Sequence, residues 1–298
     1  MIFKERLKMN MKHLLLSGCL LIFFCFSVQA QDFDSKLNDA QTALMNGNFE
    51  SCLSECESLI AGGEGDSLQQ AMIYSYAGFA SEKLDKLTAA ITYYKKAIQF
   101  KVPRLDIYDK VISLSKKVNN NADGEFALLE KRKAFPEFQT SIVESLAYLY
   151  LEMEQYDKLI AVTNELIEWF PTNPTFLNFQ GIAFQNSGQI DKAEVAYKKV
   201  LELDPDHSYA NMGMGMILYN KASKIYDDKR DHYSLINKPT QVDYYTYRKA
   251  LEEPKSIYRL ALPYLLKAYE DESFSSLKAV LFKLYTRLEE KDKTLLYR

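Results

Sequence analysis

From about Phe33 onward, apolar residues recur three or four positions apart, in short blocks broken by Gly, Asn or Pro. The clearest block runs from Pro174 to His207. Leu177, Gly181 and Phe184 share one helical face, and Gly181 lets a second helix approach closely. Asn173 suits a helix N-cap, and Pro174 suits the first helical position, where a missing N–H costs nothing. Ser187-Gly188 interrupts the pattern. Ile190, Ala193, Tyr197, Val200 and Leu201 then make a second stripe, which Pro205 stops near Leu203. The spacing predicts two short amphipathic helices, each with apolar surface the other cannot fully cover. Such a unit needs neighbours of its own kind.

The neighbours are visible upstream. Residues 31–66 read as a worn pair, with Ala40 and Ala43 before the Asn46-Gly47-Asn48 turn and Phe49, Cys52, Cys56 and Leu59 after it. Residues 71–104 carry Tyr74, Ala77 and Gly78, then Ala90, Tyr94 and Ala97. Residues 105–138 carry Tyr108, Val111 and Ile112, then Gly124 and Leu128; with Gly124 and Lys131 at its small positions, this pair is the weakest packer. Residues 140–173 carry Val143, Leu146, Ala147 and Tyr150, then Tyr156, Leu159 and Leu166. Pro103, Pro136, Pro171 and Pro205 are spaced 33, 35 and 34 residues apart, so the helix stops keep one rhythm. Period-2 alternation is nearly absent. The expected fold is all-α, a solenoid (superhelix) of stacked helix pairs.

After Pro205 the rhythm changes. Asn211, Met214, Gly215 and Leu218 fit a first helix, but Asp227 stands where its partner should place an alanine. The matching stripe, Ala261, Leu265 and Ala268, comes one full period late. One reading is a degenerate extra repeat that would bury Asp227 and Asp231 badly. The preferred reading takes 208–273 as a repeat with an elongated hairpin. Its first helix continues to about Lys229, a loop spans 231–241, and a long helix returns through Tyr247, Leu251, Tyr258 and Leu265. Pro254 and Pro263 should kink or interrupt the return. Tyr244, Tyr245 and Tyr247 divide between the arm's own seam and its surface. Residues 274–298 supply a capping helix whose outer face carries Lys278, Lys283 and Arg287.

The block from Pro174 follows the 34-residue pattern W-x2-L-G-x2-Y, A-x3-F, Pro, with Leu177, Gln180, Gly181 and Phe184, then Ala193, Tyr197 and Pro205. Leu177 replaces the tryptophan and Gln180 the leucine. This stretch resembles a tetratricopeptide repeat, and the C-terminal part resembles that of exported bacterial proteins of the same family. The resemblance implies a non-enzymatic scaffold that holds a protein or peptide in a concave groove lined by the first helices. Transferred by repeat position, the groove residues are Lys116, Glu144, Tyr148, Asn178, Gln185, Met212, Met216 and Tyr219. The carboxylate clamp of chaperone-tail binders is not matched, because Asn178 and Ile182 stand where lysine and asparagine would be needed.

Charge and motifs narrow the function further. Residues 1–30 read as a secretory leader. Lys4, Arg6, Lys8 and Lys12 precede the apolar run Leu14 to Val28, and Val28-Gln29-Ala30 is a small-x-small cleavage site before Gln31. The expected location is the periplasm; the alternative is a lipoprotein anchored through Cys19. The whole chain carries −3 formal charge, and loss of the leader leaves 33 basic against 39 acidic residues, or −6. No basic patch speaks for nucleic acid. Met212-Gly213-Met214-Gly215 starts like a dinucleotide fingerprint, but Leu218 replaces its third glycine and no strand precedes it. The chain has no HExxH, GxSxG or paired-cysteine metal motif, and no cofactor is expected. Cys52 and Cys56, four apart on one helix, fit disulfide geometry poorly and read as small core residues.

Overall fold

In a computed structural model, the structure describes residues 32–298. The expected cleavage site at Ala30–Gln31 and the alternative anchor Cys19 lie outside the described residues. The chain divides into two units, one ending at Ile142 and one beginning at Val143.

The first unit is built of helix pairs: α1 (32–45) with α2 (Phe49–Gly62), α3 (Ser67–Lys83) with α4 (Leu87–Gln99), and α5 (Leu105–Lys117) with α6 (Asn121–Ala134). Local chemistry sets the ends. Gly47, with positive φ, turns α1 into α2, and Asp66 and Gln69 form a capping box at α3, each bonding the other's backbone N–H at 2.8 Å. Cys52 and Cys56 are buried, free thiols in the α1–α3 core, as their spacing implied. Ion pairs tie successive pairs together, Lys110 to Glu82 at 2.7 Å and Lys95 to Asp123, while Lys131 to Asp109 at 2.6 Å closes the third pair on itself. The weak third pair thus recruits Lys131 as a tether where a small apolar residue was missing.

Pro136–Phe138 form a short 3-10 turn, and α7 (Gln139–Glu152) follows it across the boundary. The second unit continues with α8 (Tyr156–Trp169), α9 (Pro174–Asn186) and α10 (Ile190–Leu203). Asn173 caps α9 as expected, its side-chain oxygen accepting from the backbone N–H of Thr175 at 2.9 Å and Phe176 at 3.3 Å. Tyr197 of α10 lies against Gly181 of α9, and its hydroxyl donates to Gln185 at 2.8 Å. Tyr94 repeats the arrangement in the first unit, against Gly78 and donating to Glu82 at 3.0 Å.

The long hairpin is present. Helix α11 (Ser208–Ser234) packs against α13 (Glu252–Tyr269), with α12 (Gln241–Ala250) at its far end. The return is two helices, not one: the chain breaks at buried Leu251, and Pro254 occupies the first turn of α13, the position a proline tolerates. By contrast, α13 runs on through Pro263. Asp227 is not a misplaced core residue. Its two carboxylate oxygens accept from the one Nη2 of Arg287, at 3.0 and 3.2 Å, and it pairs with Arg230 at 2.9 Å. Arg287 therefore does not stand on the outer face of the cap; it also donates to the buried Tyr258 hydroxyl and lies over the Tyr226 ring. The end is α14 (Leu277–Leu288) followed by a further short helix, α15 (Lys291–Leu296). Among the described residues no strand occurs, and the fold is an all-α solenoid of paired helices in each unit.

Candidate functional site

The residues assigned to the groove by repeat position separate into several environments. Tyr148 is half exposed on α7 and sets its edge against the Phe179 ring of α9, with centroids 5.0 Å apart and planes at 83°. Glu144 is half-buried one turn earlier. Met212 and Met216 are partly buried against the core shared by α11, α13 and α14. Three residues are turned to structural work. Asn178 is only 4% exposed, and its side-chain oxygen has no hydrogen-bond partner. Gln185 spends its carbonyl on Tyr197. Tyr219 is buried beside Tyr258, their rings 5.6 Å apart. Asn178 and Tyr219 are buried because α9 is covered by α8, α10 and α11 together and α13 closes over α11, whereas Gln185 is half-buried. Lys116 is exposed on α5, in the other unit.

A better-formed concavity lies within the first unit. Helices α1, α3 and α5 enclose a cleft of about 280 Å³ with Leu44, Met45, Tyr76, Phe79 and Ile107 as its apolar walls. Met45 is 79% exposed, large for an apolar side chain. Phe79 is half-buried, with the ammonium groups of Lys83 and Lys110 at 5.2 and 6.0 Å from its ring centre. The polar groups at the rim are already matched. Arg104 holds Asp106 through two bonds, at 3.1 and 2.7 Å, and Lys110 donates to Glu82. Ser75 donates to the Ala71 carbonyl at 2.7 Å. With Arg104 and Lys110 paired to carboxylates, the cleft offers mainly apolar contact.

The same repeat arithmetic that named Tyr148 places Ser75 and Phe79 at groove positions of the 71–104 repeat, so the signal for this cleft was in the sequence. Met45 and Arg104 were not accessible that way, because the first is on a worn repeat and the second lies in a linker. Among the described residues, no cluster of His, Cys, Asp or Glu is arranged to hold a metal ion, and no helix is long and apolar enough to cross a membrane.

The pattern of the tetratricopeptide repeat family matches residues 174–207. Among solved structures, the chain is similar to a Bacteroides ovatus protein provisionally described as protein-binding, at 21% identity and a TM-score of 0.45 over 62% of this chain and all of that one. It is similar to MamA of strain AMB-1, at 17% identity and a TM-score of 0.41 over 68% of this chain and 92% of that one. MamA of Desulfovibrio magneticus RS-1 aligns at 14% identity and a TM-score of 0.39, over 64% of this chain and 96% of that one. The match marks residues 174–207, 34 of the 298, as one tetratricopeptide repeat within a chain of paired helices.

Proposed function

We propose that the chain is a non-catalytic interaction scaffold of the bacterial cell envelope. It takes an apolar side chain of an extended or helical protein segment into the cleft between α1, α3 and α5. The observation that carries this reading is the cleft itself: a preformed apolar recess beside an exposed methionine, with its rim charges already paired. Methionine and phenylalanine adapt to varied apolar side chains, as peptide-binding surfaces require. The basic, apolar and small-x-small order of residues 1–30 supports export. A contact of this size is expected to be modest, on the order of micromolar.

The test is site-specific photocrosslinking in the native cell. A crosslinker in place of Met45 should give a discrete protein adduct, and one in place of Lys96 on α4 should not. Phe79→Ala should weaken the Met45 adduct on the order of tenfold or more, as for an interface anchor. An adduct of equal strength in Phe79→Ala would remove the cleft from the account. Mass spectrometry of the mature N-terminus tests the envelope part: Gln31 supports free export, and acylated Cys19 supports a lipid anchor.

A further inference from the structure

The far end of the α11–α13 hairpin is unlike the rest of the second unit. Helix α11 ends at Ser234, a turn spans 235–240, and α12 buries none of its residues. Leu235 is 83% exposed, Val242 73% and Tyr245 72%. Val242 and Tyr245 lie three apart on α12 and so share a face, and Leu235 lies at the turn that leads into it. Tyr244, half exposed, leans toward Tyr233, while Tyr247 is withdrawn and stacks on Tyr233 at 4.5 Å. Nothing in the unit covers the outward three. The capping box between Thr240 and Asp243 fixes the start of α12, which carries Val242 and Tyr245.

Charge runs against the remainder of the chain. From Lys229 to Lys249 there are five basic and two acidic residues, or +3, in a chain of net −3. Lys229 is paired with Glu253, Arg230 with Asp227 and Asp231, and Arg248 with Glu289. Lys238 in the turn and Lys249 on α12 make no ion pair among the described residues, and flank the exposed apolar group. The arrangement of aliphatic tips, phenols beside them and free ammonium groups around them matches the layering of a membrane interface. There, aliphatic groups enter the acyl boundary, tyrosines sit at headgroup level and lysines reach the phosphates. A protein groove would instead need an apolar stripe running along the helix, and α12 turns basic after one turn.

We propose that the end of this arm is a peripheral docking site for an anionic lipid bilayer. The contact is by Leu235, Val242 and Tyr245, and Lys238 and Lys249 meet the headgroup phosphates. This goes beyond the cleft reading and stands whether or not the cleft holds a partner.

The experiment is hydrogen–deuterium exchange on the full chain, with and without vesicles of phosphatidylglycerol and phosphatidylcholine in equal parts. Being local, it separates the arm from any contact made by residues 1–30. Expected is slowed exchange over residues 233–246 with the mixed vesicles and none there with pure phosphatidylcholine. Lys238→Glu with Lys249→Glu should weaken vesicle binding through this segment about tenfold or more, and raised salt should do likewise. Leu235→Ser with Val242→Ser should also abolish the protection, and neither pair should change the far-UV dichroism, since the residues are exposed. Unchanged exchange over 233–246, or equal protection by both vesicle types, overturns the proposal. Protection that appears without lipid as protein concentration rises also overturns it, and assigns the surface to a second copy of the chain.

Discussion

A Cβ built on Gly181 lies 2.6 Å from the Tyr197 ring, closer than side-chain carbons approach in practice. The repeat's small residue is therefore small because a buried tyrosine occupies the space. Gly181→Leu is expected to destabilise by about 1–3 kcal/mol through overpacking, measured by denaturant unfolding. A neutral result would mean that Tyr197 can leave its site, which its hydrogen bond to Gln185 opposes. Tyr148 offers the complementary case at the surface. Tyr148→Ala gives up an edge-to-face contact with Phe179, and about 0.5–1.5 kcal/mol beyond the area lost is expected. Gly181 was legible from the sequence because its spacing to Tyr197 lies within one helix pair. The burial of Asn178 was not, because a repeat position names a face of its own helix and not the neighbours that come to cover it.

At the scale of elements, α12 is held by the Tyr233–Tyr247 stack and by charge. Arg248 grips Glu289, at the C-terminal cap of α14, through two bonds at 2.6 and 2.7 Å. Lys255, 4% exposed, reaches the same carboxylate at 3.4 Å. The hydrogen bonds from Arg248 are the chief reason that the Glu289 carboxyl titrates below its ordinary value of 4.5. A depressed folded value means that the contribution is complete above the ordinary value and is lost as pH falls through the lower one. Exchange in residues 241–250 should therefore be pH-independent in this respect from neutrality down to about the ordinary glutamate range, then quicken relative to α13 below it. Glu289→Gln should produce the same local loosening at neutral pH, with little change in overall unfolding, because Arg248 and Glu289 are both partly exposed and the buried Lys255 keeps Glu252 at 3.5 Å. Fast exchange confined to α12 would support this, and a large loss of global stability would contradict it. The helix boundaries upstream could be read from the proline rhythm, since each stop is written locally. The break at Leu251 and the Asp227–Arg287 ion pair could not. One depends on how α13 seats Pro254, and the other joins residues sixty positions apart.

For the whole molecule, the tyrosines that let the helix pairs close also set a limit on alkaline stability. Burial raises the Tyr93 phenol to about 12, assisted by its hydrogen bond to Glu57, and raises Tyr94 and Tyr197 further still. Burial of a neutral phenol is free of this cost until solvent pH reaches the value at which an unfolded tyrosine ionises, about 10. Above that, the unfolded chain gives up protons the folded chain retains, so stability falls with each further pH unit up to the folded value. Folding free energy should then be level with respect to these groups from neutral pH to about 10 and decline beyond it. Ultraviolet titration should show the buried phenols ionising only together with loss of helix. The Tyr197→Phe variant isolates one of them. At neutral pH it forfeits the bond to Gln185 and should be less stable by roughly 0.5–1.5 kcal/mol. It also lacks the ionisable group, so its deficit relative to the parent chain must shrink as pH rises past 10. A deficit that stays constant into the alkaline range would mean that Tyr197 ionises as readily folded as unfolded, and would contradict its burial against Gly181 and Gly213.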